Sequence, residues 1–150
     1  MNRFPLFLFL CVCAVNLFTG LSAGRAETVT DDQVAARSEV LDLAGAFEND
    51  GFKIRDGHLF GKVTRDHPEV VSVNLYSGNA YWFSVASTKK VDKLKVSVFD
   101  DQGKPVSFEP YAEGNRAAAG FSPEASGLYY VKISDEDSQP ATFCLIYCYK

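Results

Sequence analysis

Between Ser122 and Ser134 the chain sets a dense cluster of turn residues against a strongly β-prone run. Ser122-Pro123-Glu124-Ala125-Ser126-Gly127 joins a proline, which fixes φ, to a glycine, which tolerates positive φ, so the backbone must reverse before Leu128. In the extended run that follows, Tyr129, Val131 and Ile133 fall on one face, while Leu128, Tyr130, Lys132 and Ser134 fall on the other. Lys132 marks the second face as the solvent side. Everything from Val70 onward shares this character of short alternating strands separated by turn signals.

Val70 to Tyr76 places Val71, Val73 and Leu75 on one face. Ser77-Gly78-Asn79 turns the chain into Ala80 to Ala86, where Tyr81, Phe83 and Val85 share a face and Trp82 lies opposite. Lys93 to Phe99 points Leu94, Val96 and Val98 inward and Lys93, Lys95 and Ser97 outward. Asp100-Asp101-Gln102-Gly103 is a turn, Lys104 to Phe108 a short edge strand broken by Pro105 and Pro110, and Tyr111 to Arg116 a polar loop. Ala117 to Phe121 is a strand of small residues, and an acidic turn, Asp135 to Pro140, precedes the final strand, Ala141 to Tyr149. That strand carries Phe143, Leu145 and Tyr147 on one face and Cys144, Ile146 and Cys148 on the other. Two apolar faces predict a central strand covered on both sides. Upstream, Phe52 to Arg55 and His58 to Val63 flank Asp56-Gly57, which predicts a hairpin with a type I′ turn. About eight short strands at regular spacing predict an all-β fold, an antiparallel, jelly-roll-like β-sandwich over residues 52–150.

One helix is expected ahead of it, within residues 27–51. Thr30 with Gln33 fits a capping box, Asp31 and Asp32 complement the helix dipole, and Asn49-Asp50-Gly51 is a stop signal. Val34, Leu41, Ala44 and Phe47 form its apolar stripe, with Val40 and Leu43 at the edges. Such a helix either packs on the sandwich or binds a partner. Residues 1–26 have the layout of a secretory signal peptide: a basic start at Arg3, an apolar run from Phe4 to Phe18, and small residues before cleavage after Ala23 or Ala26. The apolar core is short for a membrane span, so the mature domain is expected in the periplasm or secreted, with no stable span after cleavage.

The whole chain has 15 Lys and Arg against 19 Asp and Glu, a net charge of −4. Loss of Arg3 and Arg25 with the leader makes the mature domain more acidic still. No basic patch interleaved with aromatics remains, so nucleic-acid binding is not expected. Cys11 and Cys13 leave with the leader. Cys144 and Cys148 share a strand face about 13 Å apart at roughly 3.3 Å per residue, beyond the ~7 Å limit for a disulfide, so they do not pair with each other unless the strand bends.

The order of features resembles the bacterial pre-peptidase C-terminal domain, a small secreted β-sandwich. The resemblance runs from Phe60 to Tyr149 and rests on Gly61-Lys62-Val63, Tyr81-Trp82-Phe83-Ser84-Val85, Leu94 to Gly103, Phe121-Ser122-Pro123 through Ser126-Gly127-Leu128 to Ile133, and Phe143-Cys144-Leu145. It implies a module that aids secretion, binding or solubility, usually as a tail on a secreted hydrolase; some related collagen-binding domains hold calcium. Here the helix and one domain fill the chain, so an enzyme in the same chain is not expected.

No catalytic set is legible. His58 and His67 fall in or beside polar turns, with no nucleophile elbow to complete them. The acidic turns hold Asp100, Asp101, Asp135 and Asp137, which could ligate calcium if the loops met at one end of the sandwich and are otherwise solvated charges. No other cofactor is expected. Tyr76, Trp82 and Tyr130 point to outer faces, where aromatics either bind a sugar ring or a partner protein, or lie beneath the N-terminal helix. The expectation is a non-enzymatic exported module that binds a protein or glycan in the cell envelope or extracellular space, with a purely structural or stabilising domain, with or without calcium, as the alternative. Oligomeric state is not set by these residues.

Overall fold

The computed structural model describes residues 28–55, 57–88 and 94–150. The leader expected over residues 1–26 lies outside the described residues, as do Asp56 of the expected hairpin turn and Lys93. Helix α1 spans Asp31–Glu48, and nine strands follow among the described residues. They are β1 (Lys53–Ile54), β2 (Leu59–Val63), β3 (Glu69–Leu75), β4 (Tyr81–Ser87), β5 (Lys95–Phe99), β6 (Glu109–Glu113), β7 (Arg116–Phe121), β8 (Gly127–Ser134) and β9 (Ala141–Tyr149).

The strands form two antiparallel sheets packed as a sandwich. The wider sheet runs β1–β9–β4–β7–β6, with β2 also paired to β9, and the narrower runs β3–β8–β5. Successive strands from β2 to β5 alternate between the two sheets, the interleaving of a jelly roll. One strand departs from it: β6 stays beside its hairpin partner β7 instead of widening the narrower sheet. Period-two alternation holds throughout the core. Val73, Leu75, Tyr81, Phe83, Val85, Leu94, Val96, Val98, Tyr129, Val131, Ile133, Phe143 and Leu145 all point into the space between the sheets. Strand β9 is central, with β1 and β2 on one side and β4 on the other.

Three local expectations are corrected. The Asp56-Gly57 hairpin does not form; β1 and β2 both lie along the same edge of β9. Ile54 is opposite Cys148 and Leu59 opposite Leu145, so Ile146 and Tyr147 of β9 separate the two pairings. A nine-residue strand offers more backbone pairing than a short local hairpin, so long-range pairing overrides the turn signal. The expected strand from Lys104 to Phe108 is only a bridge, Phe99 to Pro105, with a Val106 N–H bond to the Val98 carbonyl at 3.0 Å. The expected polar loop instead opens on the second half of β6, an edge strand that needs no buried face of its own and tolerates Pro110.

Helix α1 starts and stops on the signals in its sequence. Thr30 Oγ1 accepts from the Gln33 N–H at 3.3 Å, and Gln33 Oε1 accepts from the Thr30 N–H at 2.8 Å, completing the capping box. At the other end Gly51 adopts φ +87°. The Phe52 N–H reaches the Phe47 carbonyl at 3.3 Å and the Gly51 N–H the Glu48 carbonyl at 2.9 Å, the bonds of a Schellman ending.

The buried face of α1 is rotated from the expected stripe. Ala36, Val40, Leu43 and Ala44 are buried, whereas Val34 is 57% and Leu41 38% exposed. The helix lies across the outer face of the wider sheet, over Ala86, Cys144, Ile146 and Cys148. Small residues on both surfaces let the two backbones approach closely, which favours the Ala36–Val40–Ala44 line over the bulkier one. Phe47 stacks on Trp82 at 4.3 Å and 10°. Gly120 lies beneath that indole, and a Cβ there would sit 2.8 Å from it. Arg116 of β7 pins the helix from the side, its Nε donating to Glu39 Oε2 at 2.9 Å with Asp42 at 3.7 Å.

Candidate binding cleft

The aromatic residues expected on outer faces go to three different places. Trp82 is half-buried under α1 and takes part in helix docking. Tyr130 is half-buried on the outer face of the narrower sheet, in register with Ser72 on β3 and Phe99 on β5. Tyr76 is 63% exposed, just past the end of β3.

Tyr76 forms one wall of a cleft of about 280 Å³, lined also by Arg55, Asn79, Tyr81 and Tyr149. Its floor lies at the end of β9. Along the inner face of β9, burial is complete at Phe143, 3% exposure remains at Leu145, Tyr147 is half-buried, and Tyr149 is 37% exposed. Toward this end the inward-facing positions of β9 open to solvent, while Tyr81 beside them on β4 stays buried. Register places Lys53, Tyr149 and Tyr81 in one row across β1, β9 and β4. The next inward row holds Tyr147 and Phe83, with Arg55 beside Tyr147 through its N–H bond to that carbonyl at 3.0 Å.

The Tyr81 hydroxyl locks the wall to the floor. It accepts the Tyr76 N–H at 3.0 Å and the Asn79 Nδ2 at 3.2 Å, and its own proton has no acceptor among the described residues. The Arg55 guanidinium lies 5.4 Å from the centre of the Tyr147 ring. It has no carboxylate partner among the described residues. Burial pushes the Tyr147 phenol up, and the Arg55 charge pulls it partly back. Sequence reading found Tyr76 alone. Arg55, Asn79, Tyr81, Tyr147 and Tyr149 carry no shared local signal, because only the β1–β9–β4 pairing and the β3–β4 turn bring them together.

The four aspartates do not converge. β5 runs antiparallel to β8, with Lys95 opposite Ser134 and Phe99 opposite Tyr130. Asp100 and Asp101 therefore follow one end of β5, while Asp135 and Asp137 lie beyond the other end, level with Leu94 or past it, roughly 20 Å away at about 3.4 Å per residue. Asp100 Oδ1 instead accepts the Gln102 and Lys104 N–H groups at 3.0 and 2.8 Å, an ordered turn. Asp135 is 3% exposed; its Oδ1 accepts the Asp137 N–H at 3.0 Å, and its Oδ2 has no partner among the described residues. Among the described residues no group of three or more His, Cys, Asp or Glu is placed to hold a metal. His58 packs edge-on against Phe60 at 4.7 Å, and both histidines are exposed.

Cys144 and Cys148 are free and fully buried beneath α1. Burial pushes each thiol up to about 11. The unfolded chain loses these protons near pH 8.5, so between about pH 8.5 and 11 it holds fewer protons than the folded protein and stability falls as pH rises. The contribution is fully present below pH 8.5 and lost by about 11. Denaturant unfolding of the wild type minus a Cys144→Ala/Cys148→Ala variant is expected to show about 1.4 kcal/mol of loss per pH unit for each thiol in that window. A difference that does not change with pH would contradict it.

No protein-family profile and no curated protein matches the chain. Among solved structures it is similar to the pre-peptidase C-terminal domain of collagenase from Bacillus anthracis, at 22% identity and a TM-score of 0.48, covering 61% of this chain and 87% of that one. Among the described residues no helix is long and apolar enough to cross a membrane.

Proposed function

We propose that this chain is an exported, non-enzymatic β-sandwich module that binds a protein or glycan in the cell envelope or extracellular space. The observation that carries the reading is the Tyr76 cleft: exposed aromatic walls, a cation without a carboxylate partner and a free hydroxyl proton converge at an open corner of the sandwich. Tyrosine, arginine and asparagine are the side chains that recognition sites concentrate, because rigid amphipathic rings give contact area at low entropic cost. The leader composition of residues 1–26 supports export.

The test is retention on immobilised envelope extract by the chain recovered from the periplasm or medium, beginning at Gly24 or Glu27. Tyr76→Ala is expected to weaken retention about tenfold or more, as loss of an aromatic anchor does. Folding should be untouched, since the ring is mostly in solvent. Equal retention of the two proteins, or none by either, would sink the reading.

A further inference from the structure

The cleft has a chemical bias that a general aromatic patch lacks. Its lining holds one cation and no carboxylate side chain, although acidic residues outnumber basic ones in the chain. Arg55 is exposed, held over the Tyr147 ring, and left without an ion pair among the described residues. Lys53 shares the row of Tyr149 and Tyr81 and adds a second positive charge along the same edge. An arginine presents a planar fork of donors that matches a carboxylate, and stacking on an aromatic ring holds the fork in place without neutralising it. A volume of about 280 Å³ is just below the range of about 300–1,000 Å³ for small-ligand pockets, which suits one residue or chain end better than the surface of a folded partner.

The remaining groups fit a sugar ring. Tyr76 and Tyr149 offer aromatic faces for the C–H side of a pyranose. The Tyr81 hydroxyl, with two donors already bound to its oxygen, has only its proton to give, and the Asn79 Oδ1 has no donor among the described residues. A sugar hydroxyl can answer both.

We infer that the Tyr76 cleft selects a carboxylate-bearing sugar, a uronic acid residue of a glycan, with Arg55 on the carboxylate and the ring laid between Tyr76 and Tyr149. The inference rests on the reading of this cleft as a binding site. Its test is calorimetric titration of the full mature chain with uronate trimers of the galacto and manno series, their neutral methyl esters, and a pentaglutamate peptide. The esters keep ring shape and size and remove the charge. The acid of at least one series is expected to bind about tenfold or more tightly than its ester, the scale of a charge-assisted hydrogen bond. Arg55→Gln should remove most of the preference for that acid over its ester, whereas Tyr76→Ala should weaken both. Acid and ester binding equally, with Arg55→Gln silent, would overturn the anionic selection while leaving a glycan site. Binding of the peptide alone, dependent on Arg55, would overturn it in favour of an acidic protein. No binding by any probe would overturn the inference, and the envelope-retention result would then decide the cleft reading separately.

Discussion

Replacing Phe83 with alanine is expected to remove about 3–5 kcal/mol of stability, a large part of what a domain of this size has. Phe83 is fully buried on β4, with the ring of Tyr81 at 6.2 Å on one side and that of Tyr147 at 5.5 Å on the other. Its ring spans the two sheets below the cleft, and an alanine leaves a cavity that paired strands on either side cannot close. Urea unfolding followed by far-ultraviolet circular dichroism measures the loss. Phe83→Leu, which keeps most of the volume, should cost less than half as much. A cost under about 1 kcal/mol for alanine would mean that the inner face of β4 is not the centre of the core.

Val40→Asp is expected to release α1 from the sandwich. Val40 is fully buried between the helix and the wider sheet, among Ala36, Ala44, Ala86, Cys144 and Cys148. Arg116, which ties the helix to β7, is already committed to Glu39 and Asp42, and Arg37, three residues before Val40, is exposed on the helix. An unpaired carboxylate in that layer costs several kcal/mol, more than the burial of one short helix face recovers. The core between the sheets does not include α1, so the sandwich should keep its β signal while the helix lifts off. Both thiols would then react with a thiol reagent that leaves them untouched in the wild type, and Trp82 emission would shift to the red. Val34→Asp is the control, because Val34 is 57% exposed. If Val34→Asp exposed the thiols and Val40→Asp did not, the stripe expected from the sequence would be the true docking face.

Most strand faces were legible, and the reason is local. Alternation in Val71-Ser72-Val73-Asn74-Leu75 or Tyr129-Tyr130-Val131-Lys132-Ile133 assigns inside and outside without knowledge of any partner. The two apolar faces of β9 also indicated two covers, and the structure supplies the core on one side and α1 on the other. The helix stripe was misread because large apolar residues were weighted above small ones, whereas close approach to Ala86 and Cys144 favours Ala36 and Ala44. The binding cleft was legible only as Tyr76. Its other residues come from β1, β4, β9 and the β3–β4 turn, and no spacing in the chain joins them.

The amino-acid order by itself determined where the chain turns, which face of each strand is apolar, and where the helix begins and ends. These depend on side chains a few residues apart, through capping, φ restriction and period-two alternation. Only the tertiary structure decided that β1 and β2 share the edge of β9, that α1 docks on its small-residue line, and that Tyr149 and Arg55 are left exposed beside Tyr76 and Tyr81. Backbone N–H and C=O groups are chemically alike along the chain, so strand partners are chosen by the summed burial of whole faces, a quantity that no short stretch of sequence contains.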